Sequence, residues 1–442
     1  MSSHIKNIKE NLSQAITQLC QTSWMFVKDP ARDFTRDRKL PLREIISILL
    51  CMEGGSLTGE LLRYFGCSQH TASGSAFIQQ RQKINEFAFP SLFDLFVKNT
   101  DTDRLYKGYR LLAADGSDIQ IPTDPKHKDS YFPGTNGQAP YSLLHLDAVY
   151  DLLQHTYIDA AVCGRRVCNE NGVLCDMVDR SGIAKALVIA DRGYESYNLM
   201  AHVQEKGWKY LIRIKDGRSS GIASGLDLPR APEFDIWFHF HFTKRQTAKA
   251  KQLLKDKQSY KWIPSTHHFD FLPLTSKKHD PLSLYYLPFR VVRFKLSDSS
   301  YETVITNLDE TEFPPDELKR LYAMRWDIET SFRELKYTVG LLHFHAKKVE
   351  NITQEIFARL IMYNFTELIT SHVIIQKPNR KYPYKAIFSV AVQVCRQFLL
   401  GNISPPDVEA TICKNVSVTR TGRSNPRNMV VKHAVSFLYR VA

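Results

Sequence analysis

The sequence predicts an α/β protein with a mixed sheet, a helical N-terminal region and a β-rich insertion. Three observations predict it. Apolar residues recur at helical spacing as far as about residue 105. From 106 onward, short β-rich runs alternate with helical ones, the pattern of an α/β core. Between 217 and 307 the chain turns aromatic and β-forming, then returns to helices.

Within residues 1–105, "LREIISILLCME" and "FAFPSLFDLFVKN" carry helical apolar spacing. Between them "LTGELLRYFGCSQHTASGSAFIQQRQKI" reads as helix, polar turn, helix, the second helix presenting Gln79, Arg81 and Lys83. Two readings are open here: a helix-turn-helix DNA reader using Arg81 and Lys83, or a plain helical hairpin. The core begins at 106–216. "YRLLAADGSDIQIP" predicts a buried strand ending in a turn at Asp-Gly-Ser. "SLLHLDAVYDLLQHTYIDAAVC" predicts a hairpin, "NGVLCDMVDRSGIA" a helix, and "KALVIADRGYES" a strand stopped at Asp191. "YNLMAHVQEKG" follows as a helix with a Gly stop, and "WKYLIRIK" as a strand. The insertion, 217–307, contains the Lys-rich run "TKRQTAKAKQLLKDKQSYKW", either a solvated face or a nucleic-acid backbone contact. Residues 308–375 return to the core with a charged helix and "ITQEIFARLIMYNFTELIT". Residues 376–442 add a further helix and a basic tail with Arg420, Arg423, Arg427, Lys432 and Arg440, suited to a DNA or partner contact.

The net charge is +13 with a pI near 9.2, which points to a polyanionic partner. No apolar run approaches the ~18–20 residues that span a bilayer. The opening "MSSHIKNIKENLSQ" is polar where a signal peptide is apolar. The expectation is a cytosolic protein that faces nucleic acid and not membrane. The cysteines at 20, 51, 67, 163, 168, 175, 395 and 413 are expected to be reduced. Cys163, Cys168 and Cys175 cluster without a CxxC or HxxxH partner motif, so they read as buried thiols. His239 with His241, and His343 with His345, read as non-ligands.

The run "YAMRWDIETSFRELK", wound as one helix, puts Tyr322, Arg325, Glu329, Arg333 and Lys336 on one narrow stripe beside an apolar stripe. Arg325 and Glu329 could simply be an i,i+4 pair worth ~0.2–0.5 kcal/mol. Two other acids argue for more. Asp115 closes "LLAAD" and Asp191 closes "LVIAD", and carboxylates just past buried strands sit where α/β sites form. Asp118 could stand in for Asp115. Two aspartates and a helix-borne glutamate can hold two hard divalent cations, Mg²⁺ with Mn²⁺ as substitute, for phosphodiester chemistry. The neighbouring Arg and Lys side chains would bind phosphate oxygens.

These residues carry a resemblance. Tyr322-x2-Arg325-x3-Glu329-x6-Lys336 is similar to the YREK signature of bacterial insertion-sequence transposases of the insertion sequence four family. "DGS" at 115–117 and "DRGY" at 191–194 resemble its two aspartate motifs, and "YLIRIK" and "TNL" its strands. The resemblance implies an RNase H-like catalytic core with Asp115, Asp191 and Glu329 as a DDE triad. It implies that Tyr322, Arg325 and Lys336 contact transposon-end DNA. It also implies a bacterial, nucleoid-associated enzyme that excises an element bounded by terminal inverted repeats. That excision would pass through a hairpin and insert the element into target DNA from a homodimeric synaptic complex. A hairpin needs an aromatic to hold a flipped base, and Trp237, Trp262 and Trp326 are candidates. The rival readings are a stand-alone nuclease on the same fold and a domesticated sequence-specific DNA-binding protein.

Overall fold

The computed structural model describes residues 2–36, 38–101, 104–135, 137–215, 221–273, 282–298, 300–373 and 384–418. The expected basic tail, from Arg420 on, lies outside them.

Five helices open the chain: α1 (Ser2–Gln21), α2 (Leu42–Cys51), α3 (Leu57–Tyr64), α4 (Gly74–Arg81) and α5 (Ala88–Asn99). α1 holds together because Ile5, Ile8, Leu12, Ala15, Ile16 and Leu19 fall on one face and are all buried. Ser56 and Ser73 cap α3 and α4, each accepting the backbone N–H three residues on.

The strands are β1 (Arg110–Ile121), β2 (Tyr131–Phe132), β3 (Tyr141–Asp151), β4 (Thr156–Gly164), β5 (Ala186–Ala190), β6 (Lys209–Arg213), β7 (Phe234–Thr243), β8 (Tyr260–Trp262), β9 (Tyr285–Ser297) and β10 (Ser300–Thr306). All join one sheet in the order β2-β3-β1-β5-β6-β10-β9-β7-β8, with β4 also paired to β3. β3 runs antiparallel to β1, and β5 and β6 run parallel to it. Helix α6 (Glu170–Arg180) and helix α7 (Tyr197–Glu205) make the crossovers into β5 and β6. Strand, hairpin, helix, strand, helix, strand is the order read from the sequence, and it forms an RNase H-like core.

Two features go beyond the sequence reading. β1 does not stop at Asp115. β3 pairs with it from Leu112 to Ile121, so it continues after β5, paired only from Arg110 to Ala114, has ended. Asp-Gly-Ser is therefore mid-strand: Asp115 marks the end of pairing on one side only. Second, the sequence reading left open where the β-rich insertion sits, and its strands join the core sheet. β10 pairs antiparallel with β6, and β9, β7 and β8 extend the sheet outward from it. The Lys-rich run contributes the short helix α8 (Ala248–Leu253) and β8.

Helices cover both faces. Leu112, Ala114, Val188 and Ala190 pack with α6, α7 and the aromatic side chains of β7 and β9. Leu111, Ala113, Leu187 and Ile189 point the other way, into a core shared with α1–α5 and the C-terminal helices. Those are α9 (Pro315–Met324), α10 (Trp326–Glu334), α11 (Val349–Thr370), α12 (Phe388–Leu399) and α13 (Pro405–Lys414). A two-stranded ribbon of β11 (Tyr384–Ala386) and β12 (Val416–Val418) flanks the last two. α11 is buried along almost its whole length, and its buried polar side chains, among them Gln354, Glu355 and Arg359, are met by partners from other elements.

Candidate active site

Register brings the two aspartates together. Ala114 pairs with Ala190 across the parallel β1–β5 ladder, so the next residues, Asp115 and Asp191, emerge side by side at the carboxyl end of β5. By strand alternation both project on the face of Ala113 and Ile189, the face that α10 covers. The Asp191 carboxylate accepts the Gly193 N–H at 2.7 Å, which caps a short helical turn over Arg192–Tyr194. The Asp115 carboxylate accepts the Gly116 N–H at 2.9 Å.

Glu329 reaches the same place from α10, whose Ile328 and Phe332 are buried against the sheet. Arg325 connects it to Asp115. One guanidinium nitrogen, Nη2, donates to Glu329 Oε1 at 2.7 Å, and Nη1 lies 3.6 Å from Asp115 Oδ2. Burial pushes the Asp115 carboxyl up to about 6, with the charges of Asp191 and Glu329 adding and the Gly116 N–H and Arg325 opposing. Three carboxylates thus press on one another around a single positive group. Hard oxygen donors with unneutralised negative charge fit a divalent cation such as Mg²⁺.

The helical stripe read from the sequence is real, but it faces the sheet. Tyr322 and Arg325 are 3% and 4% exposed, so neither is a surface phosphate contact in this structure. The Tyr322 phenol is pushed up to about 12 by burial, with the neighbouring Arg325 opposing. Lys336 donates to the Asp118 carbonyl at 2.8 Å, clipping the helix end to β1, and burial lowers its ammonium. Arg333 is the exposed member. The run is also not one helix. Arg325 joins α9 to α10 through an i→i−3 bond to the Tyr322 carbonyl, and a π-helical turn, Leu335–Val339, follows α10.

The structure also corrects Arg81. It is 3% exposed and donates to Gln354, Glu355 and the Asn351 carbonyl of α11, so its guanidinium ties α4 to the core and is not presented to solvent. The loop from α3 to α4, residues 65–73, is longer than the 3–4-residue turn of a helix-turn-helix. Lys83 is half-buried, 3.8 Å from Asp33. Among the tryptophans, Trp326 is 47% exposed, with the guanidinium of the site's Arg325 5.1 Å from its ring. The Trp237 indole donates to Glu310 at 2.7 Å. Trp262 is 39% exposed on β8. Both lie at the far end of the sheet, roughly 24 Å or more from β1 at ~4.8 Å per strand.

One group escaped the sequence reading. Asp118, on the opposite sheet face from Asp115, cannot replace it; its carboxylate instead engages His145 Nδ1 at 2.6 Å and Arg165 at 2.9 Å. Asp147, Cys168 and Glu170 surround the same histidine. The signal was present: His145 and Asp147 alternate in "HLD" on the strand opposite "DGSD".

Two adjacent parallel strands carrying aspartates where β5 ends, met by a helix-borne glutamate on an RNase H-like strand order, form an arrangement suited to metal-assisted phosphoryl transfer. The transposase DDE domain family model matches residues 106–365, more than half of the chain, and the chain belongs to that family, a DDE transposase. It is 24% identical to the transposase InsG for insertion sequence element IS4 of Escherichia coli (strain K12), over 74% of this chain but only 65% of that protein. It is 22% identical to the transposase for insertion sequence element IS231B of Bacillus thuringiensis subsp. berliner, over 86% of this chain and 85% of that one. It is 20% identical to the transposase for insertion sequence element IS1151 of Clostridium perfringens, over 68% of each. The DDE class cleaves and joins DNA strands with divalent metal ions. No helix among the described residues is long and apolar enough to cross a membrane.

Proposed function

We propose that this chain performs cut-and-paste transposition of an insertion sequence, with Asp115, Asp191 and Glu329 as its catalytic carboxylates. The observation that carries the reading is the β1–β5 register that sets Asp115 beside Asp191, with Arg325 tying Glu329 to the same point. These three carboxylates would hold two Mg²⁺ ions, or Mn²⁺, which when bound draw charge from phosphate oxygens and make water or a hydroxyl a better nucleophile. First, water attacks the phosphorus at the element end; the P–O3′ bond breaks, leaving a 3′-hydroxyl on the element and a 5′-phosphate on the flank. That hydroxyl then attacks the opposite strand and closes a hairpin, displacing the flank. Hydrolysis reopens the hairpin, and the freed 3′-hydroxyl attacks target DNA. Terminal inverted repeats would position the ends, and a homodimer would pair them. Trp326 would stack on a base unpaired during hairpin formation, a role its exposure and its contact with Arg325 support.

The test uses purified chain, a duplex carrying the inverted repeats that flank its coding region, and Mg²⁺. Nicked, hairpin and joined products are expected. Asp191→Asn should lower cleavage roughly a thousandfold, since such ions supply several kcal/mol, while leaving end binding intact. Cutting without joining would favour the nuclease reading, and binding without cutting the regulator.

A further inference from the structure

We propose a second metal site, for Zn²⁺ or a similar borderline ion, formed by His145, Asp147 and Cys168 on the sheet face opposite the carboxylate triad. The donor atoms of these three residues all lie within 4.8 Å of one another, the one such group among the described residues. His145 and Asp147 are each 3% exposed. His145 Nε2 and Asp147 Oδ1 are buried and face each other at 3.4 Å, with no other hydrogen-bond partner among the described residues. Cys168 Sγ lies 3.3 Å from Asp147 Oδ2. Donors on a tetrahedral ion with bonds of 2.0–2.3 Å stand roughly 3.3–3.8 Å apart, and these two spacings, one to each Asp147 oxygen, fall in that range. Glu170 Oε1, 3.4 Å from Nε2, borders the fourth position.

The surroundings fit a ligand histidine. Asp118 engages the other ring nitrogen, Nδ1, which orients the ring and leaves Nε2 to bind, the usual carboxylate–histidine–metal arrangement. Space is made by Gly116, directly opposite Asp147: a Cβ there would come within 2.3 Å of His145 Nε2. The donor chemistry separates this site from the triad. A nitrogen, a thiol and one carboxylate select zinc, whereas an all-carboxylate set selects magnesium. On binding, the thiol releases its proton and the thiolate bonds the metal. An ion here would join β3, the segment following β4 and the start of α6, directly behind Asp115. Cys168 would then be a ligand, a departure from the reading of all three cysteines as buried thiols, whereas Cys175, in α6, packs in the apolar core.

The experiment takes full-length protein stripped with chelator and titrates Co²⁺, then Zn²⁺. A thiolate-to-cobalt charge-transfer band at one equivalent, displaced by Zn²⁺, is expected. Cys168→Ser should abolish the band, Asp118→Asn should weaken binding by ~10–100-fold, and Cys175→Ser and Asp191→Asn should leave it unchanged. No band in the parent protein, or a band retained in Cys168→Ser, overturns the site without reference to how its variants fold. The outcome is independent of transposition, because no DNA or nuclease readout enters it.

Discussion

Arg325 does at residue scale what the charge stripe did not reveal. Its guanidinium neutralises Asp115 and Glu329 from inside the protein, 4% exposed. Removing it leaves three carboxylates facing one another. Arg325→Gln should lower the stability of chelator-treated protein by ~1–3 kcal/mol, with Mg²⁺ restoring part of the loss. Thermal melts with EDTA and with Mg²⁺ check this; equal melting temperatures for variant and parent in EDTA would mean the guanidinium neutralises nothing. Gly116 supplies a second residue-scale prediction. Gly116→Ala forces the His145 ring aside and should cost ~1–3 kcal/mol by overpacking, read from urea unfolding.

At the scale of elements, β10 carries more than the composition of the insertion suggests. It covers the edge of β6, so excising residues 217–307 uncovers that edge together with the buried side chains of β6. Such a deletion should give insoluble protein, whereas shortening only the 244–258 segment should not; expression and circular dichroism separate the two. The α9–α10 joint sets which side chains reach DNA. It buries Tyr322 and Arg325 and leaves Trp326 and Arg333 outside. Trp326→Ala should therefore slow hairpin formation by ~5–150-fold, the equivalent of 1–3 kcal/mol of base stacking, and leave first-strand nicking unaltered. Trp237→Ala and Trp262→Ala, far along the sheet, should leave both steps unaltered. Single-turnover assays on a pre-nicked end measure the difference.

Across the whole molecule, the N-terminal helices are joined to the core by buried charge. Arg81 meets Glu355 of α11 at 2.7 Å, and Arg359 and Arg396 donate to the carbonyls of Met52 and Glu53 or Val339. Burial alone would raise the Glu355 carboxyl, but Arg81, His345 and Arg359 bring it down to about 2. A depressed acid stabilises the fold above its ordinary value of 4.5 and loses that contribution as pH falls toward 2. Acid unfolding should therefore open the junction of α4 with α11 in that window. Arg81→Met should destabilise the protein at neutral pH by ~3–5 kcal/mol, by stranding a buried carboxylate. Guanidinium titrations across pH test both.

Sequence by itself determined the order of elements and singled out Asp115 and Asp191, because strands and helices announce themselves through local apolar spacing, and an acid ending an apolar run is visible without any partner. It did not reveal that β1 runs past Asp115, since that depends on β3 pairing along its far edge. Nor did it reveal that the Tyr322–Lys336 stripe faces inward. Helical spacing groups side chains but does not say what lies opposite them. Arg81 was misread for the same reason: its partners sit on α11, distant in sequence. The His145 group needed three non-adjacent segments folded together before its donors met. Only the tertiary structure decided these points, because burial and ion pairing are properties of contacts between segments and not of any segment alone.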